Sequence, residues 1–278
     1  MNVLQCLKHA QVLGLPRLEA QILLLHALSR PLHDRAWLLA HDTDEVTHAQ
    51  VAALTAFVQR RLQQEPVAYI VGQKEFFGLT LHIDQRVLDP RDDTEILVEW
   101  ALACSTAFDR PRLLDLGTGS GAIALALKSQ LTAAEVTAVD ASLDALSVAT
   151  LNAKQLSLAV TFLQSNWLAQ VAGQFEVIVS NPPYVLDAEK VEMKPHVLDH
   201  EPHLALFVPD EDPLLYYRVI GEMASCRLAP GGYLCFEINR AFGEANVRLA
   251  EDQGFENIQL LKDFHGNDRM LIAQRPLH

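Results

Sequence analysis

The apolar positions of this chain change their period twice. Up to about residue 64 they recur at helical spacing. Val3, Leu4, Leu7 and Val12 mark one amphipathic helix ending at Gly14, and Leu18, Ile22, Leu25 and Leu28 mark a second opened by Pro16. A short helix around Trp37 to Leu39 follows. A longer one then runs through Val51, Leu54, Val58 and Leu62, capped by Thr43 or Asp44 and ended by Glu65-Pro66. Between Tyr69 and Ile83 alternation takes over, with Phe77, Leu79, Leu81 and Ile83 in step and Gly72 and Gly78 as punctuation, which predicts a β-hairpin. An apolar helix from Ile96 to about Cys104 leads into short apolar runs at 112–116, 135–139, 160–163, 175–179, 233–238, 258–261 and 270–273, separated by helical stretches at 122–129, 143–155, 214–228 and 243–253. Strands alternating with helices build a mostly parallel sheet. The predicted organisation is α/β: a helical bundle over 1–68, a hairpin linker over 69–86 and a Rossmann-like domain over 87–278. Only 185–213, acidic and carrying Pro195, Pro202, Pro209 and Pro213, has no clear period and reads as a long loop.

Candidate chemistry gathers at the predicted strand ends, where open α/β sheets bind ligands. The run that starts at Phe175 stops at Asn181-Pro182-Pro183-Tyr184, because two prolines neither extend a ladder nor enter a helix. The Asn181 side-chain oxygen and the Pro182 carbonyl are two acceptors suited to the two hydrogens of a planar NH2 group, against which the Tyr184 ring can lie flat. A cis-proline turn after the strand is the bland alternative.

Upstream, Asp115-Leu116-Gly117-Thr118-Gly119-Ser120-Gly121 joins a strand to a helix. Its glycines let backbone approach a ligand, and the helix start offers unpaired N–H groups. The third glycine comes one residue early for a dinucleotide loop, and Ala122 stands in its place. An Asp before GxGxG suits a ligand with a cationic amino-acid head, of which S-adenosylmethionine is one. Asp140, 19 residues after Gly121, ends the next strand, where a carboxylate can accept from both ribose hydroxyls. It can also cap the following helix, a duty Ser142 could share. After the third strand, Ser165-Asn166-Trp167 is placed to meet an adenine, with Trp167 as an apolar wall or as a core residue.

Charge narrows the acceptor. The 278 residues carry a net charge of −13, and residues 1–75 are balanced with seven Lys/Arg and seven Asp/Glu, so the whole excess lies in the part with the motifs. No Lys/Arg cluster is visible for a phosphate backbone, which argues against nucleic acid and for a protein or small-molecule substrate. No apolar run reaches membrane-span length and no basic-then-apolar signal opens the chain, so a cytoplasmic location is expected. The four cysteines show no paired spacing and read as buried free thiols, and the eleven histidines show no metal-site pattern.

Taken together, EPVAYIVGQKEFFG at 65–78, PRDDTEILVE at 90–99, DLGTGSG at 115–121, NPPY at 181–184, EPHLAL at 201–206 and DRM at 268–270 resemble the PrmC/HemK-type protein-(glutamine-N5) methyltransferases. The resemblance spans nearly the whole chain. DLGTGSG indicates only a class I S-adenosylmethionine-dependent methyltransferase, NPPY narrows it to methylation of a planar nitrogen, and the hairpin with PRxDTE is the more specific signal. It implies N5-methylation of the glutamine in the Gly-Gly-Gln motif of peptide chain release factors, with S-adenosyl-L-methionine as cofactor and S-adenosyl-L-homocysteine as product. The N-terminal helices, whose apolar stripes read as core, are expected to form the substrate-recognition domain. Asp115, Gly117, Thr118, Gly119, Ser120, Gly121, Asp140, Trp167 and Asn181 would contact the cofactor. Asn181, Pro182, Pro183 and Tyr184 would hold the glutamine, with Asn181, Pro182 and Tyr184 serving catalysis; no metal is implied. The chain departs from the family pattern at Asp89, Asp92, Asn166 and 208–213, none of which supplies a group needed for methyl transfer. Two other readings share the motifs: an adenine- or cytosine-N methyltransferase acting on DNA or RNA, and a non-catalytic adaptor that binds S-adenosylmethionine.

Overall fold

The chain begins with five helices: α1 (Val3–Val12), α2 (Arg17–Ala27), α3 (Arg35–Ala40), α4 (His48–Leu62) and α5 (Val67–Val71). The structure, a computed structural model, describes every residue except Phe264. Two units are separated by their internal packing: Met1–Gln73 with Lys194–His200, and Lys74–Met193 with Glu201–His278. In the first, Val3, Cys6, Leu23, Leu24, Leu25, Leu38, Leu54 and Val58 form the core. The buried stripes differ from those read off the sequence, since Val12 is 84% and Leu18 50% exposed while Ala10 and Ala20 are buried. Small residues at the helix crossings take the inward positions, and apolar spacing alone did not mark them. The cap of α4 is also not Thr43 or Asp44. Thr47 accepts from the Gln50 amide while the Gln50 side chain accepts from the Thr47 amide, a reciprocal capping box.

The predicted hairpin over 69–86 is shorter. Pro66 starts α5 and Gly72, at φ 72°, ends it, so the pairing strands are β1 (Gln73–Phe76) and β2 (Leu79–His82). Phe77 and Gly78 both have positive φ, 49° and 74°, which is the backbone of a two-residue hairpin turn with the twist of its strands.

The rest of the second unit alternates as the pattern requires: α6 (Asp93–Ser105), β3 (Arg112–Leu116), α7 (Ala122–Gln130), β4 (Glu135–Asp140), α8 (Leu143–Leu156), β5 (Thr161–Gln164) and β6 (Phe175–Ser180). The expected loop at 185–213 is instead a series of short elements: β7 (Val185–Leu186) paired to β8 (Phe207–Val208), two short 3₁₀ helices, and α9 (Pro195–Leu198), which belongs to the first unit. Each is too short to print a period on the sequence. Then come α10 (Leu215–Arg227), β9 (Leu228–Glu237), α11 (Gly243–Asp252), β10 (Glu256–Lys262) and β11 (Asp268–Gln274). The turn expected at Pro230-Gly231-Gly232 lies inside β9, where Gly231 at φ 75° and a register shift opposite 175–177 absorb the irregularity.

The seven-stranded sheet has the order β10-β11-β9-β6-β3-β4-β5. Its β9-β6-β3-β4-β5 portion is parallel, and β11 and β10 add antiparallel. Runs such as Val177–Val179 are buried on both faces, as a helix-covered parallel sheet demands. The strand order reverses at β3, which pairs with β4 on one side and β6 on the other. Leu116 is opposite both Val139 and Ser180, so the residues that follow, Gly117, Asp140 and Asn181, emerge side by side. That crevice is where an open sheet of this kind receives a ligand.

Candidate active site

A cleft occupies this crevice. Gly117 and Gly119 form its floor, Val139, Asp140 and Ala141 one side, Asn166 and Trp167 a second, and Asn181 and Pro183 the end beside β6; Val87, Leu88, Pro202 and Leu204 complete the walls. Gly117 and Gly119 hold φ of 74° and 55°, a region open to glycine at little cost. A Cβ on Gly119 would meet nothing within 4 Å, and one on Gly117 would meet only the Trp167 ring at 4.0 Å. Gly121 plays another part. Its φ is 83°, and a Cβ there would lie 3.1 Å from Leu125 and 3.2 Å from Ala149, so its absence lets α7 and α8 close up beneath the loop.

The two aspartates divide the work. Asp115 is fully buried and does not line the cleft; its Oδ2 accepts from the Thr118 hydroxyl at 2.6 Å and the Ala124 amide at 3.1 Å, which fixes the loop to the start of α7. Its Oδ1 is buried without a partner, and burial pushes the carboxyl up to about 7. Asp140 faces the cleft, its Oδ2 accepting from the Gly119 amide and its Oδ1 from the Ser142 amide, both at 2.9 Å. Ser142 is the N-cap of α8, its Oγ accepting from Ala145. Asp140 is thereby released from capping. Each of its oxygens has one lone pair engaged and one left for a pair of vicinal hydroxyls. Trp167, at φ 51°, answers both readings of it: one face is turned to the cleft, while the ring tilts against Tyr216 at 5.1 Å and packs on the sheet core.

At the β6 end, Asn181 donates from Nδ2 to Glu237 Oε2 at 3.0 Å and to Thr94 Oγ1 at 3.3 Å. Thr94 donates to the same carboxylate oxygen at 2.7 Å, and the Tyr184 hydroxyl donates to Glu237 Oε1 at 2.9 Å. With its NH2 consumed, the Asn181 carboxamide leaves Oδ1 for a ligand. Burial raises the Glu237 carboxyl above the usual range, against the hydrogen bonds from Thr94 and Tyr184 and the charge of Arg269 that lower it. Burial, then the Glu237 charge, raises the Tyr184 hydroxyl well above its ordinary value, so it remains a donor.

Comparison with known proteins decides the family. The PrmC N-terminal domain family matches residues 2–72 and the Methyltransferase small domain family residues 92–199. The release factor glutamine methyltransferase of Bacteroides thetaiotaomicron is 42% identical over 86% of this chain and 89% of its own length. That of Bordetella pertussis is 42% identical over 92% and 94%. The chain belongs to the release factor glutamine methyltransferase family. Among solved structures, a methyltransferase from Pyrococcus furiosus superposes with a TM-score of 0.54 at 19% identity, covering 78% of this chain and 97% of that one, a likeness that establishes the class I methyltransferase fold.

In this member of the family the structure brings Gly117, Gly119, Asp140, Trp167 and Asn181 together around one cleft. Asp115, Thr118, Ser120 and Gly121 lie behind its surface, and Pro182 and Tyr184 stand outside it. The sequence reading missed Glu237, Thr94 and Asn152. The last is fully buried in α8, accepts from the His82 amide, and donates to the His82 and Ser120 carbonyls, which ties the hairpin to the glycine loop. The PRDDTE stretch, read as carboxylates favouring a helix start, turns out to be a junction. Arg91 holds Glu201, Asp92 pairs with Lys74, Thr94 holds Glu237, and Glu95 accepts from the Phe77 amide in the hairpin turn at 2.7 Å. Of the cysteines, Cys226 is exposed, contrary to the expectation of burial, because it lies on the outer face of α10. Among the described residues, no cluster of His, Cys, Asp and Glu could hold a metal, and no helix is long and apolar enough to cross a membrane.

Proposed function

We propose that this chain transfers a methyl group from S-adenosyl-L-methionine to the side-chain nitrogen, N5, of the glutamine in the Gly-Gly-Gln motif of peptide chain release factors. The observation that carries this reading is the Asn181 carboxamide, held by its NH2 with the oxygen left over, at the end of a cleft floored by open glycines and flanked by Asp140. The residues present fit the cofactor: space above Gly119 for close backbone approach, two spare lone pairs on Asp140 for ribose hydroxyls, and the Trp167 ring with Val139 and Ala141 as an apolar seat for adenine. When bound, S-adenosyl-L-methionine supplies a methyl group already activated on its sulfonium.

The protein's task is then alignment, which by itself accounts for several kcal/mol of a barrier. An amide nitrogen is a poor nucleophile because its lone pair is spread into the carbonyl. Asn181 Oδ1 draws an amide hydrogen to itself, favours the positive charge that develops on nitrogen, and turns its remaining lone pair toward the methyl. The Pro182 carbonyl, expected as a second acceptor, belongs to a buried residue that does not line the cleft; Pro182 and Pro183 instead keep Asn181 from drifting, and Tyr184 buttresses it through Glu237. The proton leaves to water after transfer. The N-terminal helices serve in recognising the release factor, and the reaction takes place in the cytoplasm.

Incubating the full chain with S-adenosyl-L-methionine and a purified release factor, followed by peptide mass spectrometry, tests the proposal. One added methyl on the Gly-Gly-Gln peptide is the expected result. An unmodified peptide, with methyl instead entering DNA or RNA bases offered in parallel, would place the chain with the nucleic-acid enzymes.

A further inference from the structure

A carboxamide has nearly the same shape after a half-turn, but its donor and acceptor ends change places. An Asn181 turned that way would present NH2 to the NH2 of the incoming group. Something must choose between the two orientations, and proline stiffness cannot, because it acts on the backbone alone.

Three elements supply the choice. Ser180 at the end of β6 is opposite Phe236 of β9, so Asn181 is next to Glu237, whose residue exposure is 1%. Thr94 comes from the first turn of α6 and is likewise buried. Glu237 already accepts from the Thr94 hydroxyl at Oε2 and from the Tyr184 hydroxyl at Oε1, so the oxygen beside Asn181 serves as an acceptor, which admits the Nδ2 end of Asn181 and rejects the Oδ1 end. The Thr94 hydroxyl has one hydrogen, committed to Glu237 Oε2 at 2.7 Å, and therefore turns lone pairs toward Asn181. Both groups beside Nδ2 are acceptors. Tyr184 fixes the other carboxylate oxygen, so Glu237 is oriented from its own far side.

We propose that Thr94 and Glu237 are positioning residues that lock the Asn181 carboxamide with its oxygen toward the acceptor nitrogen, and so set the specificity of the site for an NH2 group. This rests on the methyl-transfer function proposed above. Neither Thr94 nor Glu237 lines the cleft, and the lock sets only which end of the Asn181 carboxamide faces it, so its loss acts on turnover more than on cofactor binding.

The test uses the full chain with Thr94→Val, Thr94→Ser and Glu237→Gln. Valine keeps the shape of threonine and removes both the hydrogen and the lone pairs; serine keeps both. Thr94→Val is expected to lower kcat on a release factor by about 10- to 100-fold. Its calorimetric affinity for S-adenosyl-L-methionine should stay within about twofold, since it touches nothing in the cofactor site. Thr94→Ser should restore most of the turnover, and Glu237→Gln should repeat the loss. Turnover of Thr94→Val within about twofold of wild type, or a loss matched by an equal loss of cofactor affinity, would overturn the proposal. A substrate-independent reading accompanies it: the side-chain NH2 resonances of Asn181, assigned by their disappearance in Asn181→Asp, should shift and exchange faster with water in Thr94→Val. Should wild type leave release factors unmethylated, the functional reading fails, and these resonances still decide the lock; unchanged resonances would sink it.

Discussion

A carboxamide takes its direction from its neighbours, and Asn181 has three of them, Thr94, Glu237 and, through Glu237, Tyr184. Asn181→Ala should therefore lower kcat by on the order of a hundredfold or more while cofactor affinity, read by calorimetry, changes far less. Near wild-type turnover would remove Asn181 from the reaction. The two aspartates make a second contrast. Asp140 keeps spare acceptors at the cleft, whereas Asp115 is sealed beneath the loop with Oδ1 unpaired. In the unfolded chain Asp115 titrates near 3.8, and burial moves it to about 7 in the fold. The folded state thus holds the extra proton between those values. Its stabilising share is full below about 4 and is lost as pH rises through 7, at roughly 1.4 kcal/mol per pH unit. Urea unfolding at a series of pH values should show that slope in wild type and a flatter profile in Asp115→Asn; parallel profiles would contradict it. The sequence made both Asn181 and Asp140 legible, Asn181 because NPPY follows a strand and Asp140 because it ends the strand after the glycine loop, 19 residues after Gly121. It could not reveal Glu237 or Thr94, since their part depends on β9 and α6 arriving beside β6.

The glycine loop shows why the element, and not the motif, decides what each residue does. Gly119 and Gly121 look equivalent in DLGTGSG, yet one opens onto the cleft and the other lets two helices approach. Gly121→Ala should lower stability by about 1–3 kcal/mol, from the left-handed backbone and the crowding against Leu125 and Ala149. Gly119→Ala meets no neighbour, so beyond the modest backbone strain its effect should fall on cofactor affinity. Thermal melts and calorimetry on the two variants separate these outcomes, and equal melting losses with unchanged affinity would refute the division. The PRDDTE stretch carries the same lesson. Its acidic residues read as helix-start electrostatics, but Glu95 reaches the Phe77 amide and Asp92 reaches Lys74, contacts set by the hairpin folding back toward α6. Long periodic elements such as β6 and α6 were legible. The short pieces within 185–213 were not, because two- to six-residue elements are specified by pairing partners such as β7 with β8 and not by their own pattern.

For the molecule as a whole, alternation of strands and helices sufficed to foresee a mostly parallel α/β sheet, and the reversal of strand order at β3 is seen in Leu116 pairing with both Val139 and Ser180. The inward faces of the N-terminal helices were less legible, since Ala10 and Ala20 are buried where Val12 and Leu18 are not. The net charge of −13 weighs against a nucleic-acid acceptor, whose phosphates would have to approach against it. The central claim is that the site selects one glutamine side chain. It is tested most directly by counting the label moved from tritiated S-adenosyl-L-methionine into an intact release factor and into one whose Gly-Gly-Gln glutamine is replaced by alanine. The account predicts full incorporation in the first and background in the second; equal label in both, or none in either, would contradict it.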